Sequence, residues 1–95
     1  MRLTIACVLT QSGRLVLRDV LTRDKVQLVR EGYRPYPILL ETNEGQRQEA
    51  DLWSTSPPSM MAMLDAARLL FGEKPGAVSW DSRGYDPFAD ERDDT

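Results

Sequence analysis

Histidine is absent from the 95 residues of this chain. Its absence removes the commonest general base at neutral pH together with the commonest zinc ligand, so imidazole-based triads and histidine metal centres are excluded. Cysteine occurs once, at Cys7, and a single thiol closes no internal disulfide. Its place in an apolar, strand-like run reads as a small buried hydrophobe; a reactive thiol would need a cationic or basic neighbour that the sequence does not show. No apolar run approaches the roughly 18 residues needed to cross a bilayer. The opening MRLTIACVLTQSG breaks its apolar stretch with threonines and does not read as a secretory signal. A soluble, cytoplasmic chain with no membrane association is therefore expected. A phosphate-binding glycine loop, an internal repeat and a low-complexity linker are also missing. Glu41, Glu44, Glu49 and Asp51 lie close together around a turn, yet carboxylates in such a place are normally solvated, and nothing signals the desolvation that tunes a catalytic pair. The chain is not expected to be an enzyme or to need a cofactor or metal.

What is present is, first, a complete helix signal over residues 54–72, STSPPSMMAMLDAARLLFG. Ser56 can cap the free N–H groups, Pro57 and Pro58 fall in the first turn where a missing donor costs nothing, and Gly72 and then Pro75 stop the helix. Met60, Met61, Met63, Leu64, Ala67, Leu70 and Phe71 recur at spacings of three and four, with Ala62, Asp65, Ala66 and Arg68 opposite. This apolar side reads as core, with an adaptable methionine-rich binding surface as the alternative. Asp65 and Arg68 can pair across one turn, worth only about 0.2–0.5 kcal/mol.

The first half reads as strands. Leu3, Ile5, Cys7 and Leu9 alternate with Thr4, Ala6, Val8 and Thr10, the period of a strand buried mainly on one face. Ser12-Gly13 fits a two-residue hairpin loop, after which a second strand over 15–21 returns. Arg18 and Asp19 fall on opposite faces of that strand, so it should be less fully covered. Residues 22–31 are ambiguous. A strand centred on 26–30 is favoured because no capping-box glutamate follows Thr22; the alternative is a helix capped by Thr22 and ending at Gly32. GYRPYP over 32–37 reads as a stiff connector. Residues 38–42 and 46–53 form a hairpin across Asn43-Glu44-Gly45, with Trp53 anchoring sheet to helix, and 77–80 supply a further short strand.

The expected fold is therefore α+β: an antiparallel β-meander of four to five strands packed against one C-terminal helix over 57–71. It makes one domain over 1–80, followed by an acidic, aromatic-containing tail over 81–95.

Charge is unevenly spread. Residues 1–34 carry seven basic side chains against three acids, a balance of +4, whereas 81–95 carry six acids against two arginines, a balance of −4; the net value of −3 hides this. Ordering the 15-residue tail costs on the order of 15–30 kcal/mol in backbone entropy, while burying Tyr85 and Phe88 returns about 3–6 kcal/mol. Alone it should be mobile, unless it docks on the domain or on a partner.

The function these features suggest is that of a small non-enzymatic protein-binding module, of the kind an inhibitor or accessory factor of a phage or mobile element represents. Trp80, Tyr85, Asp86, Phe88, Asp90, Glu91, Asp93 and Asp94 would contact the partner as a linear motif. One alternative is a self-associating assembly subunit, with Tyr33, Tyr36 and Trp53 near the contact of an exposed strand edge. Another is nucleic-acid binding through Arg14, Arg18, Arg23, Lys25 and Arg30; no recognition motif or stacking aromatics accompany those residues, and nucleic acid is not the expected partner.

Overall fold

In a computed structural model of the chain, residues 5–72 and 76–88 are described. The elements are β1 (Ile5–Leu9), β2 (Leu15–Asp19), α1 (Thr22–Arg30), β3 (Arg34–Glu41), β4 (Arg47–Ser54), α2 (Met60–Phe71) and β5 (Ala77–Trp80). The strands form one sheet in the order β2-β1-β4-β3-β5. Every neighbouring pair is antiparallel except β1 and β4, which run parallel with Cys7 opposite Leu52 and Val8 opposite Trp53. The meander expectation is thus corrected to a mixed, mostly antiparallel sheet carrying two helices. The chain leaves β2 at the sheet's edge, crosses in α1 and re-enters at β3, so two hairpins are joined side by side rather than in succession.

Both hairpins are closed by the same local chemistry. In the first, the Thr10 N–H donates to the Arg14 carbonyl (2.8 Å) and the Gly13 N–H to the Thr10 carbonyl (2.9 Å); in the second, Thr42, Gln46 and Gly45 repeat these bonds at 2.8 and 3.0 Å. The threonine hydroxyl in each loop accepts the remaining N–H, from Arg14 and Gln46 respectively, at 3.1 Å. Gly13 (φ 87°) and Gly45 (φ 83°) take the left-handed geometry that completes a three-residue loop. The first loop is therefore one residue longer than the Ser12-Gly13 turn expected from sequence.

Residues 22–30 are a helix, not a strand. The capping acid is present but sits one position earlier than the Thr22 frame implies: Leu21 is the N-cap, and its N–H donates to Asp24 Oδ2 at 3.0 Å. The other end is a Schellman motif, with Gly32 (φ 93°) donating to the Val29 carbonyl (3.0 Å) and Tyr33 to the Leu28 carbonyl (2.9 Å). Leu28 and Tyr33, joined by that motif, pack together with Ala6, Val8 and Trp53 on one face of the sheet.

The opposite face carries α2. Cys7, Tyr36, Ile38 and Leu52 from the strands meet Met63, Ala66 and Ala67, with Leu9, Leu15, Leu70, Phe71, Val78 and Trp80 at the margin. Large side chains withdrawn from water here contribute roughly 1.5–3 kcal/mol each. α2 starts later than expected, its N-cap being Ser59, whose hydroxyl accepts from the Ala62 N–H at 3.1 Å. The helix is also rotated relative to the expected stripe: Ala66 is buried, whereas Met60 and Met61 are 67% and 64% exposed. Small alanines at the contact let the helix backbone lie close to the sheet. The short strand expected over 77–80 is present as β5, which follows the helix along β3.

Residues 32–37 are mostly strand rather than connector. Pro35 and Pro37 lie within β3 because their main-chain atoms face away from β4. Their carbonyls accept from the Tyr85 N–H (3.1 Å) and the Asp81 N–H (3.1 Å), so the nitrogens without hydrogen also point to that outer side, where no ladder bond is lost.

Candidate functional site

The distal segment, residues 81–88, lies against the domain. Beyond Trp80 the chain continues along the half of β3 that β5 does not reach, supplying donors to the two proline carbonyls. The Tyr85 hydroxyl donates to Asp51 Oδ2 at 2.8 Å, linking this segment to a carboxylate that is only 8% exposed. Gly84 (φ 70°) passes so close that a Cβ there would lie 3.2 Å from the Tyr36 ring. Asp81 is clasped by Arg83 through Nε and NH2, both at 3.0 Å, and this partner holds its carboxyl below the usual carboxylate range. Asp86 Oδ1 accepts from the Phe88 N–H at 2.9 Å.

Trp80, Asp86 and Phe88 are half-buried, and Tyr85 is 36% exposed. Asp90, Glu91, Asp93 and Asp94 lie outside the described residues. The expectation of a tail that is mobile on its own therefore does not hold over 81–88: main-chain bonds to β3 and the tyrosine–aspartate bond add to the aromatic burial that the sequence estimate counted alone.

Tyr33, Tyr36 and Trp53 are 9%, 3% and 0% exposed. Tyr36 packs in the core under α2 and Tyr33 and Trp53 in the core under α1, so most of their surface is taken up within the molecule. Of the basic residues, Arg14 sits in the first hairpin loop, Arg18 on β2, and Arg23, Lys25 and Arg30 on α1. Arg18 lies 3.6 Å from Asp24, which stands in the helical turn between Arg23 and Lys25, so the positive charge of this region is interrupted by an acid. The carboxylates near the second hairpin do not converge either. Glu41 lies 3.9 Å from Arg47, Glu44 is at the loop tip, Glu49 is exposed, and Asp51 accepts from Tyr85.

Several concavities occur among the described residues, including one of about 530 Å³ lined by Thr10, Gln11, Ser12, Glu31 and Tyr33. One of about 230 Å³ is lined by Pro37, Leu39, Glu49, Ser79 and Asp81 among others, and one of about 210 Å³ lies between the end of α1 and Asp86-Pro87. Among the described residues no group of three histidine, cysteine, aspartate or glutamate side chains could hold a metal ion, and no helix is long and apolar enough to cross a membrane. Cys7 is fully buried, and burial pushes its thiol up to about 11, which keeps it protonated and inert at neutral pH.

The feature that remains open is an edge of the sheet. The four-residue β5 forms one edge; short length, two prolines and the 81–88 segment blunt the sheet on that side. At the other edge, four of the five residues of β2 are exposed, including Val16 (39%) and Leu17 (44%), with Ile5 (46%) alongside on β1. Among the described residues β2 pairs with β1 alone. Sequence reasoning named none of these apolar residues as a site, although the broken alternation at Arg18-Asp19 did mark the strand as poorly covered.

Compared with known proteins, the chain matches no family model, no curated protein and no solved structure. The geometry is that of a small mixed α+β domain with one blunted sheet edge and one edge, β2, left uncovered among the described residues.

Proposed function

We propose that this chain is a non-enzymatic protein-binding module that recognises another polypeptide by strand addition at the outer edge of β2. The observation that carries this reading is the contrast between the two edges. A sheet edge is a row of free donors and acceptors that pairs readily with another chain, and proteins normally suppress it. Here the β3–β5 side is suppressed three ways, whereas β2 has no proline, no bulge and no covering segment among the described residues.

The docked state of residues 81–88 moves the recognition role away from the tail aromatics, and the interrupted basic region gives nucleic acid no comparable support. The test is affinity purification of the tagged full chain from its native cell beside the variant Leu17→Lys, with mass spectrometry of what is retained. A polypeptide held by the wild type and lost by the variant supports the reading. An identical set on both rules out the edge as the contact.

A further inference from the structure

Resting on the edge reading above, we propose that the occupant of the β2 edge is a second copy of this chain, added antiparallel about a two-fold axis at Leu17. The hairpin fixes which groups are available. Thr10 and Arg14 face each other across the loop, and alternation along the ladder then turns the main-chain groups of Val16 and Arg18 toward β1 and those of Leu15, Leu17 and Asp19 outward.

A two-fold axis perpendicular to the sheet keeps each face on its own side, so directly opposed residues must share parity. Centred on Leu17, the arrangement pairs the whole strand: Leu17 with itself, Leu15 with Asp19, and Val16 with Arg18 of the second copy. All three outward-facing residues of β2 then exchange main-chain bonds, and no like charges stand directly opposite one another. Moving the axis by one residue toward the C-terminus sets Arg18 against Arg18. Moving it by one toward the N-terminus sets Arg14 against Arg18 twice. Like charges directly opposite destabilise a strand pair, so charge selects the Leu17 register. Leu17 and its diagonal neighbour Ile5, both exposed on the α2 side, add apolar surface at the centre of the joint sheet.

The experiment is sedimentation equilibrium of the full chain from micromolar to millimolar concentration. The wild type is expected to dimerise reversibly. Leu17→Pro removes an outward donor without touching the β1 ladder, as Pro35 and Pro37 do in β3, and should raise the dissociation constant about tenfold or more. Circular dichroism checks that it folds; Leu17→Lys, which places like charges on the axis, carries the comparison if it does not. Val16→Glu faces Arg18 of the second copy in this register alone and should tighten the dimer about two- to tenfold.

A wild type that stays monomeric throughout overturns the inference, as does a dimer indifferent to both Leu17 variants. Weakening by Val16→Glu overturns the register. A monomer that still captures a foreign polypeptide in a Leu17-dependent way removes the second copy as occupant and leaves the edge reading standing; a monomer that captures nothing removes both.

Discussion

Replacing Tyr85 with phenylalanine deletes one hydroxyl and leaves the ring, the main chain and the Gly84 turn unchanged. The hydroxyl donates to Asp51 Oδ2 at 2.8 Å, and hydrogen bonds to charged acceptors contribute about 1.5–3 kcal/mol. Two features place Tyr85→Phe at or below the lower end. Tyr85 is about one-third exposed, so water partly replaces the donor, and Asp51 keeps further interactions, so its carboxylate is not orphaned. The expected loss is about 1–1.5 kcal/mol, read as a fall in melting temperature of about 4–10 °C for a domain of this size. Pairing the substitution with Asp51→Asn in a double-mutant cycle should recover most of that loss as coupling. Amide exchange at Asp81 and Tyr85, whose N–H groups reach the proline carbonyls, should speed up in parallel. A variant within about 0.3 kcal/mol of wild type, with unchanged exchange at those two amides, would refute the docking of this segment.

Gly76→Ala should be costly for a different reason: its Cβ would fall 2.6 Å from the Glu41 carbonyl oxygen, which is main chain and cannot turn aside. A loss of about 1–3 kcal/mol in urea unfolding is expected, with the β3–β5 pairing disrupted first. Met63→Ala should cost about 2–5 kcal/mol because the side chain is fully buried, whereas Met60→Ala and Met61→Ala should stay within about 0.5 kcal/mol of wild type; equal effects at the three positions would contradict the orientation of α2. The raised thiol of Cys7 makes stability fall with alkaline pH. The unfolded thiol ionises from its ordinary 9.0 while the folded one holds its proton to about 11. The contribution is thus intact below pH 9 and is lost, on the order of 2–3 kcal/mol, as pH rises toward 11. Subtracting the pH profile of Cys7→Ala isolates it, and superimposable profiles would show that the thiol is not buried as described.

Local chemistry was the most legible part of the sequence. Gly13 and Gly45 marked both hairpins and Gly72 marked the end of α2, whereas Trp53, expected to join the sheet to that helix, packs instead on the opposite face with Leu28 of α1. The alternation of Ile5, Cys7 and Leu9 identified β1 but could not show that β1 lies parallel to β4, because that pairing joins residues more than forty positions apart and leaves no local mark. β3 was read short because prolines argue against a strand interior; they are compatible here only because their nitrogens face outward, toward the segment carrying Asp81 and Tyr85. α1 was missed by one position of capping frame: three residues after Thr22 stands Lys25, whereas the N-cap is Leu21 and its partner is Asp24. The methionine stripe misled because hydrophobicity marks which residues can be buried, while the alanines decide how closely α2 approaches the sheet. For the site, the poor covering of β2 was visible in Arg18 and Asp19, but its being the edge follows from the sheet order alone.

Amide hydrogen exchange along β2, followed by nuclear magnetic resonance as protein concentration is raised, tests the open-edge account most directly. Val16 and Arg18, turned toward β1, should be protected at every concentration, while Leu15, Leu17 and Asp19 should exchange freely in dilute solution and gain protection together as strands add. Protection of those three amides already present at the greatest dilution, or exchange that stays fast at all five positions, would contradict it.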